Sequence, residues 1–452
     1  MHRPRAAAGL GVLLCALSSG AVPHDAAESG RDAAIRAYVA AWNGSPVELD
    51  AALTDDFVDR TMLLPLDTNA FRVQLAAWRQ AIPDLAVTVL ERATAPEREV
   101  LRLRYAGQVA DPAQLLPLSG KAFAIEQVEW LTFSEGRIVA REAATNDWTV
   151  PAELMFVPPP TAPIEPLAAE TLVSFGPGVF IESIAFSPGG RLFVTTGFDG
   201  GIVTVDESGE IDPFARLDVG PGGLSMCLVF DESGTLYATA NSRNPEVHGV
   251  WRFAPDGRGT HLAALPPGSA PNGIALDGHG GVLIADSFGG AIWRVPIAGG
   301  PASIWLRHPW LAPRPLLGRF PGANGLQRSA AAVIIASSDR SLVIRVPIAA
   351  DGSAGTPTIL ASGLPGDDFA VASDGTLYVT THPFNTVVRV TPGGERTVVA
   401  GPAQGVIGPT AAAFGANGDL YVVTDGGLFR PLPGVQPVAT LVRLRLRARA
   451  AN

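Results

Sequence analysis

Four side chains with hard oxygen donors recur at matched places along this 452-residue chain. Glu182, Asn272, Asn324 and Asp367 each open a short apolar run. Met226 and Thr410 hold the same place in two further runs, and the six positions are spaced by 44, 46, 52, 43 and 43 residues. Two carboxylates and two amides suit Ca²⁺, with Mg²⁺ or Mn²⁺ as alternatives and water completing the shell, if the fold brings them together. An ion held this way polarises a bound carbonyl and stabilises the oxyanion that forms on it. The attacking water then needs a base. Asp367 is the first candidate, Asp368 the second, and His382, which directly follows the run LYVTT, the third. His248 lies in a comparable place in an earlier unit, several residues later. Commoner roles stand beside each of these: Asn272-Gly273 and Asn324-Gly325 are ordinary turn pairs, and a loop histidine most often only faces solvent.

The scaffold that must position these residues is written in the same runs. IESIAFSPGGRLFVTT, LSMCLVFDESGTLYAT, PNGIALDGHGGVLIAD, ANGLQRSAAAVIIASS, DDFAVASDGTLYVTT and PTAAAFGANGDLYVVT share one plan. Each is an apolar strand, a turn usually containing glycine, and a second apolar strand. Six units of this length, with about four short strands each, predict an all-β six-bladed β-propeller over residues 167–447. A solenoid has shorter repeats, and a sandwich does not repeat so regularly. In a propeller the innermost strand of each unit starts at one face beside the central channel, so the six first positions converge near the axis. The second strand runs back to that face, which places His382 near Asp367. The longest connection, LRHPWLAPRPLLGRFPG, also belongs to that face. Trp310, Leu311 and Phe320 within it are expected either to form an apolar substrate lid or to pack between adjacent units.

The six repeats, with IES in the first, PNG in the third, ANG in the fourth and GDD in the fifth, resemble the senescence-marker-protein/gluconolactonase superfamily. Paraoxonases and strictosidine-synthase-like proteins are similar propellers. The resemblance implies that Glu182, Asn272, Asn324 and Asp367 hold one divalent ion, usually calcium, with Asp368 as a neighbour. It implies an exported metal-dependent hydrolase of a lactone or ester. Met226 stands where many gluconolactonases carry an asparagine near the substrate, which points away from a sugar lactone, and an apolar lid of Trp310, Leu311 and Phe320 would go with a more apolar substrate. Two further readings remain open: a non-catalytic propeller that binds a ligand or protein around a structural ion, and a C–O lyase or cyclase.

Residues 30–150 differ in kind. Helical apolar spacing covers residues 33–42 and 70–82, while residues 86–91, 100–106 and 126–133 alternate or are β-branched. The segments YVAAWNGSPVELDAALTDDFVDR, AFRVQLAAWRQAIPDLAVTV and FSEGRIVAREAATNDW resemble the SnoaL-like polyketide-cyclase branch of the cone-shaped α+β fold shared with the nuclear transport factor family. Arg60, Arg141 and Ala143 stand in the places of that family's polar pocket groups, and Asp147 is one residue from the expected carboxylate. No histidine occurs between His24 and His248. The resemblance therefore implies a degenerate cyclase-like module that serves as an apolar binding pocket or a homodimer contact.

Composition bounds the rest. Residues 151–166 contain six prolines and read as a stiff linker. Residues 1–24 carry Arg3 and Arg5, an apolar core and small residues near Ala21, the layout of a secretory signal peptide. Leu14 makes a poor lipid-attachment box for Cys15, so a secreted or periplasmic protein without a membrane span in the mature chain is expected. Cys227 is then the sole thiol, no disulfide forms, and a buried small hydrophobe is its expected role. A net charge of −10 and a single lysine, Lys121, exclude a phosphate-neutralising stripe and with it nucleic acid as a partner. The 50 glycines and 39 prolines fit a strand-rich, tightly turned architecture.

Overall fold

The computed structural model of the chain describes residues 26–61, 66–110, 120–145, 165–314, 320–429 and 434–446, with residue 432. The expected leader, Asp147 and residues 151–164 of the expected linker lie outside them.

Helix α1 (Ala26–Trp42) leads through α2 (Leu49–Ala52) into β1 (Leu53–Asp59), β2 (Leu66–Asp67) and α3 (Thr68–Ala81). Four longer strands follow: β3 (Ala86–Ala95), β4 (Arg98–Gln108), β5 (Ala122–Ser134) and β6 (Arg137–Thr145). They form one sheet in the order β2-β1-β6-β5-β4-β3, antiparallel except for the parallel β1–β6 pair. Helix α3 starts where the Asp67 carboxylate accepts from the Ala70 amide at 2.8 Å, satisfying one of the open N–H groups of its first turn. Phe71, Leu75 and Ala81 then recur on one face and bury against Tyr38, Ala41 and Trp42 of α1 and Phe57 of β1. The two expected helices are present, α1 extending further towards the N-terminus. The three expected strands are present and longer. Strand β1 escapes a pattern reading because Asp55 and Asp56 interrupt its apolar alternation.

The remaining described chain is almost entirely β. It contains six four-stranded antiparallel sheets, the arrangement of a β-propeller. Their first strands are Ile184–Phe186, Leu224–Phe230, Pro271–Leu276, Ala323–Ser329, Phe369–Val371 and Pro409–Phe414. Each first strand packs on that of the next sheet, and the sixth packs on the first. The sixth sheet takes its outer strand from ahead of the first, since β7 (Ala168–Ser174) pairs with Thr440–Arg445.

Threonines in the second strands knit this ring. Thr195, Thr239 and Thr380 accept from the backbone N–H of Ser183, Cys227 and Asp368, each at 3.0 Å, where the inner strand is irregular. Thr239 and Thr380 also donate to the carbonyls of Asn272 and Thr410 in the following sheet, at 2.7 and 3.1 Å. Thr410 in turn donates to the carbonyl of Ile181 at 2.9 Å, joining the last sheet to the first. The turns between strands repeat as well. Asp206, Asp231 and Asp351 each accept from the amide two residues on, and Gly209, Gly234 and Gly352 take positive φ beside them.

Asn272-Gly273 and Asn324-Gly325 are not turns but parts of inner strands. A Cβ on Gly273 would lie 2.2 Å from the Asn324 carbonyl oxygen, and one on Gly325 2.4 Å from Asp368 Oδ1. Glycine stands there because neighbouring strands approach too closely for any side chain. The N-terminal unit meets the propeller through Phe320 and Phe384, which pack against its hydrophobic core.

Candidate functional site

Among the first positions of the inner strands, Asn324 and Asp367 are in direct contact. Asn324 Nδ2 donates to Asp367 Oδ1 and, at 2.9 Å, to Ser338 Oγ. Cys227 Sγ donates to Asn272 Oδ1 at 3.4 Å. Glu182, Asn272, Asn324, Met226 and Thr410 are all buried, while Asp367 and Asp368 are partly exposed.

The carboxylates raise one another's affinity for protons. Burial, and then Asp367, Asp425 and Asp368, hold Glu182 well above the ordinary carboxylate range. Asp367 is pushed up to about 6 by burial, against the pull of His382 and the Asn324 hydrogen bond, with Asp425 raising it further. Asp368 is pushed up to about 8, chiefly by burial, with a backbone bond from Phe369 opposing and Asp367 adding to the rise. One of its oxygens, Oδ1, is buried without a hydrogen-bond partner. Burial also raises the Cys227 thiol, followed by Asp368, Glu182 and Asp367, so it is a neutral group beside the carboxylates. Clustered acids with little positive charge among them are costly, and a hard cation would relieve that cost. Among the described residues no three His, Cys, Asp or Glu side chains group tightly enough to hold an ion alone. The donor set fits a divalent ion only if the amide oxygens of Asn272 and Asn324 join Glu182 and Asp367.

The geometry adds a residue absent from the sequence reading. Asp425, buried in the sixth sheet's second connection, lies 2.9 Å from Nε2 of His382 through its Oδ2. Its Oδ1 accepts from the amides of Gly427 and Leu428 at 2.7 and 3.2 Å, which fixes the carboxylate. Asp425 follows LYVVT as His382 follows LYVTT, so the spacing that selects His382 also marks Asp425 one repeat later. A histidine braced by an oriented carboxylate is the pairing used for proton transfer. His382 acts electrostatically on Asp367, and Asp367 on its neighbour Asp368.

Other expected residues fall elsewhere. Leu311 is only 1% exposed, and with Trp310 it packs into the core shared by the third and fourth sheets. Neither forms a lid, because the core offers their apolar surface more burial than the mouth does. Phe320 faces the N-terminal unit instead. His248 bonds Ser242 N and Ser269 Oγ at 3.3 and 2.9 Å and braces its own loop. Arg60 is exposed and 3.8 Å from Glu142.

Within the N-terminal sheet the expected pocket position of Arg141 is filled by a closed ionic network. Its guanidinium reaches Asp59 at 2.7 Å and grips Glu129 through Nε at 3.1 Å and Nη2 at 2.7 Å. Tyr38, Tyr105 and Gln127 also donate to Glu129. Burial alone would raise Glu129, but Arg141 and these hydrogen bonds hold it below its usual range.

A family model described as SnoaL-like polyketide cyclase matches residues 32–154. A virginiamycin B lyase from Nocardia farcinica is 30% identical over 213 residues, 47% of this chain and 66% of that protein. The chain therefore spans just under two thirds of that relative. Among solved structures, a calcium-binding regucalcin from Agrobacterium tumefaciens is 17% identical, covering 63% of this chain and 97% of that one, with a TM-score of 0.46. A gluconolactonase from Xanthomonas campestris is 15% identical, covering 64% and 98%, with a TM-score of 0.47.

Proposed function

We propose that the chain hydrolyses a lactone or ester at the mouth of a closed six-bladed propeller, and that the His382–Asp425 pair is its base. The carrying observation is the 2.9 Å contact between His382 Nε2 and the buried Asp425 carboxylate, on the same face as Asp367 and Asn324. With the Nε2 proton donated to Asp425, a neutral imidazole keeps its basic lone pair on Nδ1. His382 Nδ1 takes a proton from water as the water oxygen bonds to the acyl carbon, and Asp425 stabilises the imidazolium. When the acyl C–O bond breaks, the imidazolium returns that proton to the departing alkoxide. A divalent ion, calcium in this reading, would be held by Glu182, Asn272, Asn324 and Asp367 and would supply carbonyl polarisation. Asp368 supports the cluster from beside it. The six-bladed closure is supported by the Thr410–Ile181 bond and by β7 completing the last sheet.

In this reading residues 1–24 are an export signal, residues 30–150 a cyclase-like accessory module, residues 151–166 a linker and residues 167–447 the propeller. The accessory module binds or dimerises and does no acid–base chemistry, since its central polar groups are consumed by the Arg141 network.

Likeness to a protein named as a lyase favours one second reading. The same His382 would then remove a proton from carbon, the C–O bond would break, and a C=C bond would form without water. One experiment tests both. The purified chain is assayed on lactones and aryl esters in ¹⁸O-water, with and without chelator, beside His382→Gln. Hydrolysis with ¹⁸O in the acid, lost on chelation and on substitution, supports the first reading. An unsaturated product free of ¹⁸O supports the second. Turnover untouched by His382→Gln sinks both.

A further inference from the structure

The mouth has two unlike halves. Asn272, Asn324, Asp367 and His382, from the third to fifth sheets, make one side polar. The sixth, first and second sheets, besides Asp425 and Glu182, contribute a cluster of aromatic and aliphatic side chains. Phe180 stands just before the first inner strand, Phe198 in the turn Gly197–Asp199 and Phe429 in the connection that also carries Asp425. The Phe180 ring centroid lies 5.0 Å from that of Phe198 and 5.3 Å from that of Phe429. Phe429 meets the His382 ring edge-on at 5.9 Å. Met226 and Leu428 continue the same apolar cluster beneath.

This shelf is built rather than incidental. Phe180 is 5% exposed and forms its floor, while Phe198 and Phe429 remain 40% and 42% exposed. A Cβ on Gly197 would lie 2.5 Å from Phe180 Cδ1, so the turn is cut to glycine to let the ring sit under it. Grouped exposed aromatics beside a charged cleft, rimmed by polar residues, mark a binding surface. None of the shelf residues is charged, and Glu182 follows Phe180 by two residues, so an anionic substituent is disfavoured there.

We infer that the shelf of Phe180, Phe198 and Phe429 is a subsite for an uncharged aromatic ring carried by the substrate, placing the scissile bond at His382. The inference rests on the hydrolytic reading for the bond position but not for ring binding itself. It also gives Met226 a role: a polar residue at that first position would interrupt the apolar half.

The test uses the full chain with Phe198→Ala, Phe429→Ala and the double variant. Both residues are exposed, so their truncation leaves the fold standing. Turnover of γ-phenyl-γ-butyrolactone is compared with that of γ-butyrolactone, and binding of the neutral ring probe N-phenyl-1-naphthylamine is followed by fluorescence. Each truncation should lower the phenyl-to-unsubstituted kcat/KM ratio by about tenfold, mainly through KM, and should weaken probe binding by a similar factor. Probe binding that depends on both phenylalanines without turnover of either lactone would uphold the shelf and defeat the hydrolytic reading. An unchanged substrate ratio and unchanged probe affinity in the double variant would overturn the shelf, whatever the turnover.

Discussion

Replacing Arg141 by methionine should bring the N-terminal unit close to unfolding, although Arg141 touches no other part of the chain's candidate chemistry. Arg141 is 5% exposed and answers the carboxylates of two residues that are more buried still, Asp59 at 1% and Glu129 at 0%. Removing one partner of a buried ion pair costs about 3–5 kcal/mol, because the other charge stays in a medium that solvates it poorly. Here one cation serves two anions, so the upper end applies. Tyr38 and Tyr105, which still donate to Glu129, keep the loss from exceeding it greatly. Against a stability of about 5–15 kcal/mol for a domain of this size, that is a third of the total or more. At roughly 4 °C per kcal/mol it corresponds to a fall of about 20 °C in midpoint. Amide hydrogen exchange in β4, β5 and β6, followed with temperature, isolates this unit from the propeller. The neutralised triple variant Arg141→Met, Glu129→Gln, Asp59→Asn should recover at least half of the loss, since a neutral interior has no charge to strand. A single-variant loss below about 1 kcal/mol, or a triple variant no better than the single, would refute the reasoning. The same network sets an acid response. Glu129 sits below its ordinary value of 4.5 in the folded state, so its contribution is fully present above that pH and fades as pH falls through the depressed folded value. Unfolding of this unit should steepen below about pH 4.5, and Glu129→Gln should flatten it.

Three other outcomes follow from the mouth of the propeller. Asp425→Asn leaves a neutral side chain where the imidazolium forms, and should lower kcat by about 10²–10⁴-fold with a much smaller change in KM, read by steady-state kinetics on whichever ester is turned over. Glu182→Gln relieves repulsion from Asp367, Asp425 and Asp368, so in chelator its thermal midpoint should rise. With calcium at about a hundredfold its dissociation constant, the wild-type chain should gain about 2.7 kcal/mol, roughly 5–10 °C, and the variant less than half of that. Gly325→Ala forces a methyl into Asp368 and should cost about 1–3 kcal/mol in denaturant titration, whereas Gly190→Ala, with nothing within 4 Å of the new carbon, should cost only its positive-φ strain.

Part of the candidate site was legible because the chain repeats. Glu182, Asn272, Asn324 and Asp367 could be aligned by spacing, and the return of each second strand to the same face placed His382 beside Asp367. What defeated the reading was ambiguity in local signals. Asn-Gly is a turn pair in most contexts, and only the 2.2–2.4 Å clearance at Gly273 and Gly325 reveals crowded strands instead. A long apolar connection looks like a lid until Leu311 is found in the core between two sheets. Arg141 looks like a substituted pocket residue until its partners, up to 82 positions away, are seen around it.

The amino-acid sequence alone determined the strands, the Asp- and glycine-marked turns and the position each chemistry-bearing residue takes within its repeat. Those depend on residues a few places apart, whose hydrogen bonds and apolar alternation are local. Tertiary structure alone decided that Asp425 braces His382, that Phe180, Phe198 and Phe429 assemble on one half of the mouth, and that Arg141 closes an interior network. The first two join residues of different propeller sheets and the third joins three paired strands of the N-terminal sheet, so such contacts exist only once those strands and sheets have come together.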